Sequence, residues 1–273
     1  MFEVVAFLAG LLIGSFLNVC IYRFPRDLSV VRPRSHCPDC ERMIAWYDNI
    51  PVLSWVLLRG RCRHCLATIP WSYAAVELAT GLAFLLCAIA LGPTVSAAKY
   101  AVFFAINIGL IVTDVLDRIL PDELTLGGTI VGLGFAPFAP AEAGLAAMLI
   151  WNRLSPAWSR LADGIFSAAV SAGLVWFVGW AYQKLRHREG GWMGLGDVKM
   201  MGMIGAFLGL RGALLTMFLG SVLGSVIGYG YIFFKKKDAS SYELPFGSFL
   251  GIAAVLIAIG GDIIAALHGK PGR

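Results

Sequence analysis

Charged side chains are scarce in this chain of 273 residues. Asp, Glu, Lys and Arg together make up 14% of it, whereas 58% of the residues are hydrophobic. A soluble domain carries roughly a quarter charged residues, so the deficit excludes an ordinary water-soluble globule. The 32 glycines and 12 prolines lie inside apolar stretches without a three-residue period, which excludes a collagen-like or disordered chain. The composition therefore predicts a polytopic membrane protein.

The chain also has little polar sequence outside the apolar runs. Its longest polar stretch, residues 23–71, is shorter than most domains that fold without a disulfide or metal. A membrane-spanning helix needs about 20 apolar residues. That requirement predicts about eight spans, at residues 1–22, 73–92, 98–116, 124–140, 163–183, 197–210, 212–234 and 245–267. The first run lacks a basic flank and a small-residue cleavage site, so we interpret it as a retained helix and not a secretory signal.

The predicted fold is all-α, and we expect three parts in the chain. Residues 1–22 form the first transmembrane helix, residues 23–72 form a small loop domain with four cysteines, and residues 73–273 form a seven-helix membrane domain. We call residues 23–72 the cysteine loop.

The basic residues predict the orientation of the helices, because Lys and Arg near helix ends stay in the cytoplasm. In one of the two orientations that eight helices allow, sixteen of the 22 cations fall on the cytoplasmic side. This places the amino terminus outside and the cysteine loop inside. The basic residues of the cysteine loop can be interpreted in two ways. They either only set the orientation of the helices or bind acidic lipid or a partner.

The cysteine loop contains two C-x-x-C pairs with 21 residues between them. These are Cys37-Pro-Asp-Cys40 and Cys62-Arg-His-Cys65. Two such pairs present four thiolates to one tetrahedral zinc ion, and a loop too small for its own core needs such a cross-link. Disulfides are disfavoured in a reducing cytoplasm. The competing interpretation, two dithiol redox centres, lacks the strand and helix pattern of a thioredoxin.

Ionisable residues inside membrane helices are costly, and they mark functional sites by default. Glu77, Asp114 and Asp197 are the candidates. The predicted third helix ends near Asp114 and the sixth begins at Asp197, so both carboxyl groups lie at one depth near the cytoplasmic face. Paired carboxyls share a proton, so one can deprotonate water while the other protonates a carbonyl oxygen, as peptide-bond cleavage requires. A proton or ion relay in a transporter is the alternative.

Both aspartates lie in extended motifs. The first, from Asp114 to Pro121-Asp122, has the form D-x6-P-D, and the second, Gly194-Leu-Gly196-Asp197-Val-Lys199, has the form G-x-G-D-x-K. Further segments are GSFLNVCIYR at 14–23, NIPVLSW at 49–55, LRGRC at 58–62, VEL at 76–78 and PFGSFL at 245–250. Together with the cysteine pairs, these motifs resemble the type IV prepilin peptidases, also called leader peptidase/N-methyltransferases, over nearly the whole chain.

The resemblance implies an intramembrane-type aspartic endopeptidase with Asp114 and Asp197 as its catalytic pair. The implied substrate is the basic leader of a type IV prepilin or a type II secretion pseudopilin, cut after a glycine at the cytoplasmic face of the bacterial inner membrane. The implied partners are this substrate and the lipid bilayer, with no nucleic acid, and the oligomeric state is left open.

The resemblance also implies that the new amino terminus is methylated from S-adenosylmethionine. The cysteine pairs match those of the bifunctional members. No glycine-rich strand-turn-helix unit of the soluble methyltransferases is present, so the cofactor-binding residues are unassigned. A peptidase without methylation therefore remains an alternative.

The sequence is compatible with two roles for each of three further polar residues. Asp122 either supports Asp114 or caps the following helix. Lys199 either tunes Asp197 or extends towards lipid phosphate. Glu77 either pairs with a basic loop residue or serves methylation.

Overall fold

The computed structural model describes residues 1–139, 155–186, 194–235 and 245–264, and these ranges are almost entirely helical. Their α-helices are α1 (Phe2–Arg23), α2 (Leu53–Leu57), α3 (Trp71–Leu91), α4 (Val95–Asp117), α5 (Asp122–Phe135), α6 (Pro156–Arg186), α7 (Leu195–Lys235) and α8 (Phe246–Ala258). A π-helical turn, Ile259–Ile263, follows α8. The described ranges contain no β-strand, only two isolated β-bridges in the cysteine loop. The predicted all-α class is confirmed.

Five segments are long and apolar enough to cross a membrane. They are Phe2–Arg26, Trp71–Leu91, Val95–Asp117, Pro156–Leu185 and Leu195–Gly228. The segment Phe246–Gly261 is a shorter apolar helix, and α5 is 14 residues long. The protein is therefore a multi-pass membrane protein, and every predicted run overlaps a helix. Residues 140 and 265–267 of those runs lie outside the described residues.

The predicted sixth and seventh runs both lie in α7, with no loop between them. The helix has one kink, at Gly209, where φ is 70° and ψ is 177°. Glycine adopts a positive φ readily because it has no Cβ to clash. The break lies one residue before the predicted end of the sixth run, so α7 consists of two helical stretches that meet at this glycine.

Prolines mark where several helices begin. Pro121 and Pro245 immediately precede α5 and α8, and Pro156 is the first residue of α6. Proline is favoured at these positions because the first turn of a helix has no acceptor for its N–H groups. The start of α5, a few residues after Asp117, is thus set by the same Pro121 that belongs to the first aspartate motif.

Two compact units make up the chain, Met1–Gly109 and Leu110–Arg273. In the first unit α1 packs along α3, and in the second α7 packs against α5, α6 and α8. The expected three-part division at residues 22 and 72 stays a prediction.

Glycines let the helices within each unit approach closely. A Cβ added to Gly10 would lie 2.8 Å from the Cα of Gly81, between α1 and α3. In the second unit, a Cβ on Gly220 would lie 2.9 Å from Cδ2 of Leu250, between α7 and α8. Small residues at such contacts favour association of helices within a membrane.

Candidate functional site: an aspartate pair and a four-cysteine cluster

The four cysteines of the two C-x-x-C pairs form one cluster. Their sulfur atoms all lie within 4.8 Å of one another, and those of Cys37 and Cys65 are 3.7 Å apart. Zinc binds thiolate sulfur at about 2.3 Å, so tetrahedral coordination places two sulfurs about 3.8 Å apart. The cluster therefore has the composition and spacing to hold a metal ion.

The two cysteine pairs have the same backbone arrangement. The amide of Cys37 donates to the carbonyl of Arg42 at 3.0 Å, and the amide of Cys62 donates to the carbonyl of Ala67 at 2.8 Å. An isolated β-bridge closes each turn. Both turns thus present their sulfurs in the same way, although they come from distant parts of the loop.

Backbone amides also prepare one sulfur for metal binding. Hydrogen bonds from the backbone of Cys65 and of His64 lower the pKa of the Cys62 thiol to about 7. The thiolate is the form of cysteine that binds metals. The local backbone therefore favours the thiolate at Cys62. At Cys65 the backbone bond to Ala67 is outweighed by burial and by the bonds to the other cysteines, which raise its pKa to about 12.

An ion pair holds the second cysteine turn to the middle of the loop. Arg63 donates through Nε to Oδ2 of Asp48 at 2.8 Å, and its terminal nitrogen bonds the other oxygen. This hydrogen bonding lowers the pKa of Asp48. A two-point contact between a guanidinium and a carboxylate fixes orientation as well as distance.

Glu77 connects α3 to the cysteine loop through a backbone contact. Its Oε2 accepts a hydrogen bond from the amide of Val52 at 2.7 Å. Val52 has a φ of 61°, which is strained for a β-branched residue, and α2 begins directly after it. Nearby, the side-chain amide of Asn18 donates to the carbonyl of Tyr73 at 2.9 Å, a hydrogen bond between α1 and α3. The buried carboxylate thus anchors the strained start of α2.

We expect Glu77→Ala to loosen the cysteine loop. The change leaves the amide of Val52 without its acceptor, at a cost of about 1 to 3 kcal/mol, and the loop should open more often. Limited trypsin digestion measures this, because Arg59 and Arg61 are exposed in the loop. The matched control is Glu123→Ala at an exposed position of α5. Equal digestion rates for the two variants would contradict the anchoring role.

Helix ends position the two aspartates of the second unit. Asp114 lies in the last turn of α4 and Asp197 in the first turn of α7. Asp114 is buried, with 6% of its surface exposed, and it lies close enough to Asp197 for the two carboxyl groups to interact electrostatically. The structure therefore brings together two acids that are 83 residues apart in the sequence.

Leu120 lies between the helix starts that surround the pair. A Cβ added to Gly196, beside Asp197, would lie 3.0 Å from the Cβ of Leu120. A Cβ on Gly247, at the start of α8, would lie 2.8 Å from Cδ1 of the same leucine and 3.3 Å from Cγ of Asp114. Glycines at both positions let α7 and α8 approach the end of α4.

The start of α8 contributes a residue that the sequence reasoning did not identify. The backbone amide of Ser248 and its hydroxyl both donate to Oδ2 of Asp114, at 2.6 and 2.8 Å. The PFGSFL segment enters the sequence analysis only as one of the motifs that resemble the family, with no role assigned to Ser248. Nothing in its local pattern indicates a partner 134 residues away.

The two remaining motif residues form an ion pair. Lys199 Nζ lies 2.7 and 2.9 Å from the two carboxylate oxygens of Asp122, and the pair links the fifth residue of α7 to the first residue of α5. Asp122 is the first residue of α5, and the N-cap position is occupied by Pro121. The contact joins the two residues to each other, and the interpretations that the sequence leaves open for each of them stay predictions.

Two family profiles match the chain. The bacterial peptidase A24 N-terminal domain matches residues 8–91, and the type IV leader peptidase family matches residues 101–229. The first match includes the cysteine cluster and Glu77, and the second includes both aspartates. No solved structure matches the chain at a significant level.

Several curated proteins that carry the name prepilin leader peptidase/N-methyltransferase are similar over most of the chain. The chain is 38% identical to the Myxococcus xanthus protein over 84% of its own length and 62% of that protein. It is 32% identical to the Aeromonas hydrophila protein, covering 94% of the chain and 90% of the relative. The Stutzerimonas stutzeri protein is 33% identical, with coverage of 98% and 93%.

Proposed function

This chain belongs to the type IV leader peptidase family, and we propose that it is a bifunctional membrane enzyme. It cleaves the basic leader of a type IV prepilin or type II secretion pseudopilin and methylates the new amino terminus. Asp114 and Asp197 are its catalytic pair. The observation that carries the proposal is that two distant acids interact at adjoining helix ends, one of them buried.

Cleavage needs both an acid and a base at the scissile bond. Two neighbouring carboxyl groups cannot both ionise cheaply, so Asp114 and Asp197 share one proton. The ionised carboxylate takes a proton from water, and the protonated carboxyl group donates to the peptide carbonyl oxygen. The substrate backbone must come close to both. Gly194 leaves room for it beside Asp197, whereas the space beside Gly196 is occupied by Leu120.

The metal we propose for the cluster is a structural zinc ion, with four thiolate ligands. The ligands are Cys37, Cys40, Cys62 and Cys65. Zinc accepts four thiolates in a tetrahedron and has no redox chemistry, so it cross-links the two turns of a loop that has little core of its own. The methyl donor we propose, following the family resemblance, is S-adenosylmethionine.

The proposed location is the bacterial inner membrane, with the amino terminus outside. Sixteen of the 22 Lys and Arg residues fall on the cytoplasmic side in this orientation. The cysteine loop and the aspartate pair then lie at the cytoplasmic face, where the basic leader of a prepilin remains.

Incubating the purified protein with a model prepilin tests the peptidase assignment. We expect the prepilin to shorten to its mature length, because the aspartate pair cleaves after the leader's last glycine. The control substrate has that glycine replaced by a bulky residue and should stay uncut. An intact prepilin, together with proton-coupled solute flux in vesicles that contain the protein, would instead favour the transporter alternative.

The ion pair between Lys199 and Asp122 should affect catalysis more than stability. Its side chains are 31% and 57% exposed, and such pairs contribute only about 0.2 to 1 kcal/mol to folding. The pair fixes the turn that carries Asp197, so Lys199→Ala should lower kcat several-fold with little change in melting temperature. Asp122→Ala should do the same, and the double variant should be no slower than either single variant. Fully multiplicative losses in kcat would show that the two residues act independently.

A further inference from the structure

We infer that Ser248 holds Asp114 as the ionised member of the catalytic pair, which assigns the base to Asp114 and the acid to Asp197. The inference rests on the proposed peptidase function and deepens it. Paired carboxyl groups alone do not decide which one is charged. The two aspartates differ in the hydrogen-bond donors around them, and this difference determines which carboxyl group is ionised.

Two donors of one residue converge on one oxygen of Asp114. The amide of Ser248 lies 2.6 Å from Oδ2, and its hydroxyl oxygen lies 2.8 Å from the same atom. An amide nitrogen can only donate, so Oδ2 must be an acceptor. Hydrogen bonds to the charged form of a carboxyl group favour that form. Both contacts are buried, where a bond to an ionised acceptor is strong.

The hydroxyl of Ser248 has a second neighbour, the carbonyl of Ile111, at 3.2 Å. One hydroxyl has a single proton, so it serves one of these two acceptors at a time. The carboxylate is nearer and carries the charge. The proton therefore lies on the bond to Asp114, and the carbonyl of Ile111 is the secondary acceptor.

The position of Ser248 in α8 strengthens this preference. It is the third residue of the helix, and the first four amides of a helix have no acceptor within it. The carboxylate of Asp114 thus satisfies an amide at the start of α8. The positive end of the helix dipole favours a negative charge there. The approach is close because Gly247 has no side chain, since a Cβ there would lie 3.3 Å from Cγ of Asp114.

Asp197 has no comparable support. Within the described ranges, no side chain or backbone donor forms a hydrogen bond with its carboxyl group, and the neighbouring charge is that of Asp114. A carboxyl group beside an ionised one keeps its proton more readily. The other charged group acting on Asp114 is the guanidinium of Arg118, which follows the last residue of α4.

This assignment gives a balanced sequence of proton transfers. Asp114 takes a proton from water as the water oxygen bonds to the scissile carbonyl carbon, and Asp197 gives its proton to the carbonyl oxygen. The tetrahedral diol then collapses as Asp114 passes its proton to the leaving nitrogen. The C–N bond breaks, and a diol hydroxyl returns a proton to Asp197. Both aspartates end in their starting states.

Ser248 is accordingly a positioning residue, and substitutions of matched shape test it. Threonine and valine have the same shape and differ in the hydroxyl, so any crowding by the extra methyl group is common to both. We expect Ser248→Val and Ser248→Ala to lower kcat on the order of tenfold, with KM nearly unchanged, whereas Ser248→Thr retains most of the activity. The control is Ser171→Ala, a buried serine of α6 whose hydroxyl bonds the carbonyl of Ser167 in its own helix.

The pH profile of kcat/KM separates the two role assignments. If Asp114 is the ionised base, losing the hydroxyl in Ser248→Val should move the acidic limb of the profile to higher pH relative to Ser248→Thr. Movement of the alkaline limb alone would make Asp114 the acid and overturn the assignment. Equal kcat values for the valine and threonine variants would remove the role of Ser248. A wild-type protein that cuts no prepilin would instead count against the proposed function.

Discussion

We expect Asp114→Asn to stop leader cleavage, and Asp197→Asn to do the same. Asparagine keeps the size of the side chain but cannot accept or release a proton at neutral pH, so each variant lacks one of the two proton transfers. General acid or base catalysis contributes about 10²- to 10⁴-fold to a rate, and the loss should be at least of that order. Single-turnover cleavage of a model prepilin by purified protein measures it.

A control on the same helix end separates chemistry from folding. Asp117 lies three residues after Asp114 in the last turn of α4, and we expect Asp117→Asn to retain cleavage. All three variants should insert into membranes and melt at similar temperatures, since asparagine occupies nearly the same volume as aspartate. Robust cleavage by either Asp114→Asn or Asp197→Asn would rule out the aspartate pair as the catalytic centre.

Cysteine substitution should remove the proposed zinc completely. Wild-type protein is expected to contain about one zinc per chain, and Cys37→Ser or Cys62→Ser should contain almost none, because three sulfurs no longer close the tetrahedron. Structural zinc sites contribute about 10 to 16 kcal/mol in small zinc-binding peptides, well above the other stability effects expected here. The cysteine loop should then be digested rapidly by trypsin. Elemental analysis and digestion of the same preparations give both readouts.

Cys87→Ala is the matched control for the zinc experiment. Cys87 is buried in α3 and is not part of the cysteine cluster. Its removal should leave the zinc content unchanged. A wild-type protein purified without chelators and containing well under one zinc per chain would disprove the structural metal.

The sequence predicts much of the architecture because a membrane imposes strict rules. Apolar runs must be about 20 residues long to cross the bilayer, and each predicted run overlaps a helix of the structure. The exact helix ends are harder to predict. The run at 163–183 corresponds to α6, Pro156–Arg186, because helical hydrogen bonding continues beyond the apolar stretch. Local capping and proline positions set such ends, and hydropathy does not report them.

The pairing of side chains around the site is beyond local sequence reasoning. Both aspartates can be identified because acids are rare within apolar helices. Their partners come from elsewhere in the chain: Ser248 is 134 residues from Asp114, and Lys199 is 77 residues from Asp122. Serine and lysine near helix ends are common, so neither residue type is informative alone. Only the packing of α5, α7 and α8 brings these groups to the carboxylates.

The most direct test of the account is the mass of a model prepilin after incubation with the protein and S-adenosylmethionine. The account predicts a product that has lost its leader up to the last glycine and gained one methyl group at its new amino terminus. A product of the right length without the methyl group would confine the enzyme to peptidase activity. A prepilin of unchanged mass would contradict the central claim.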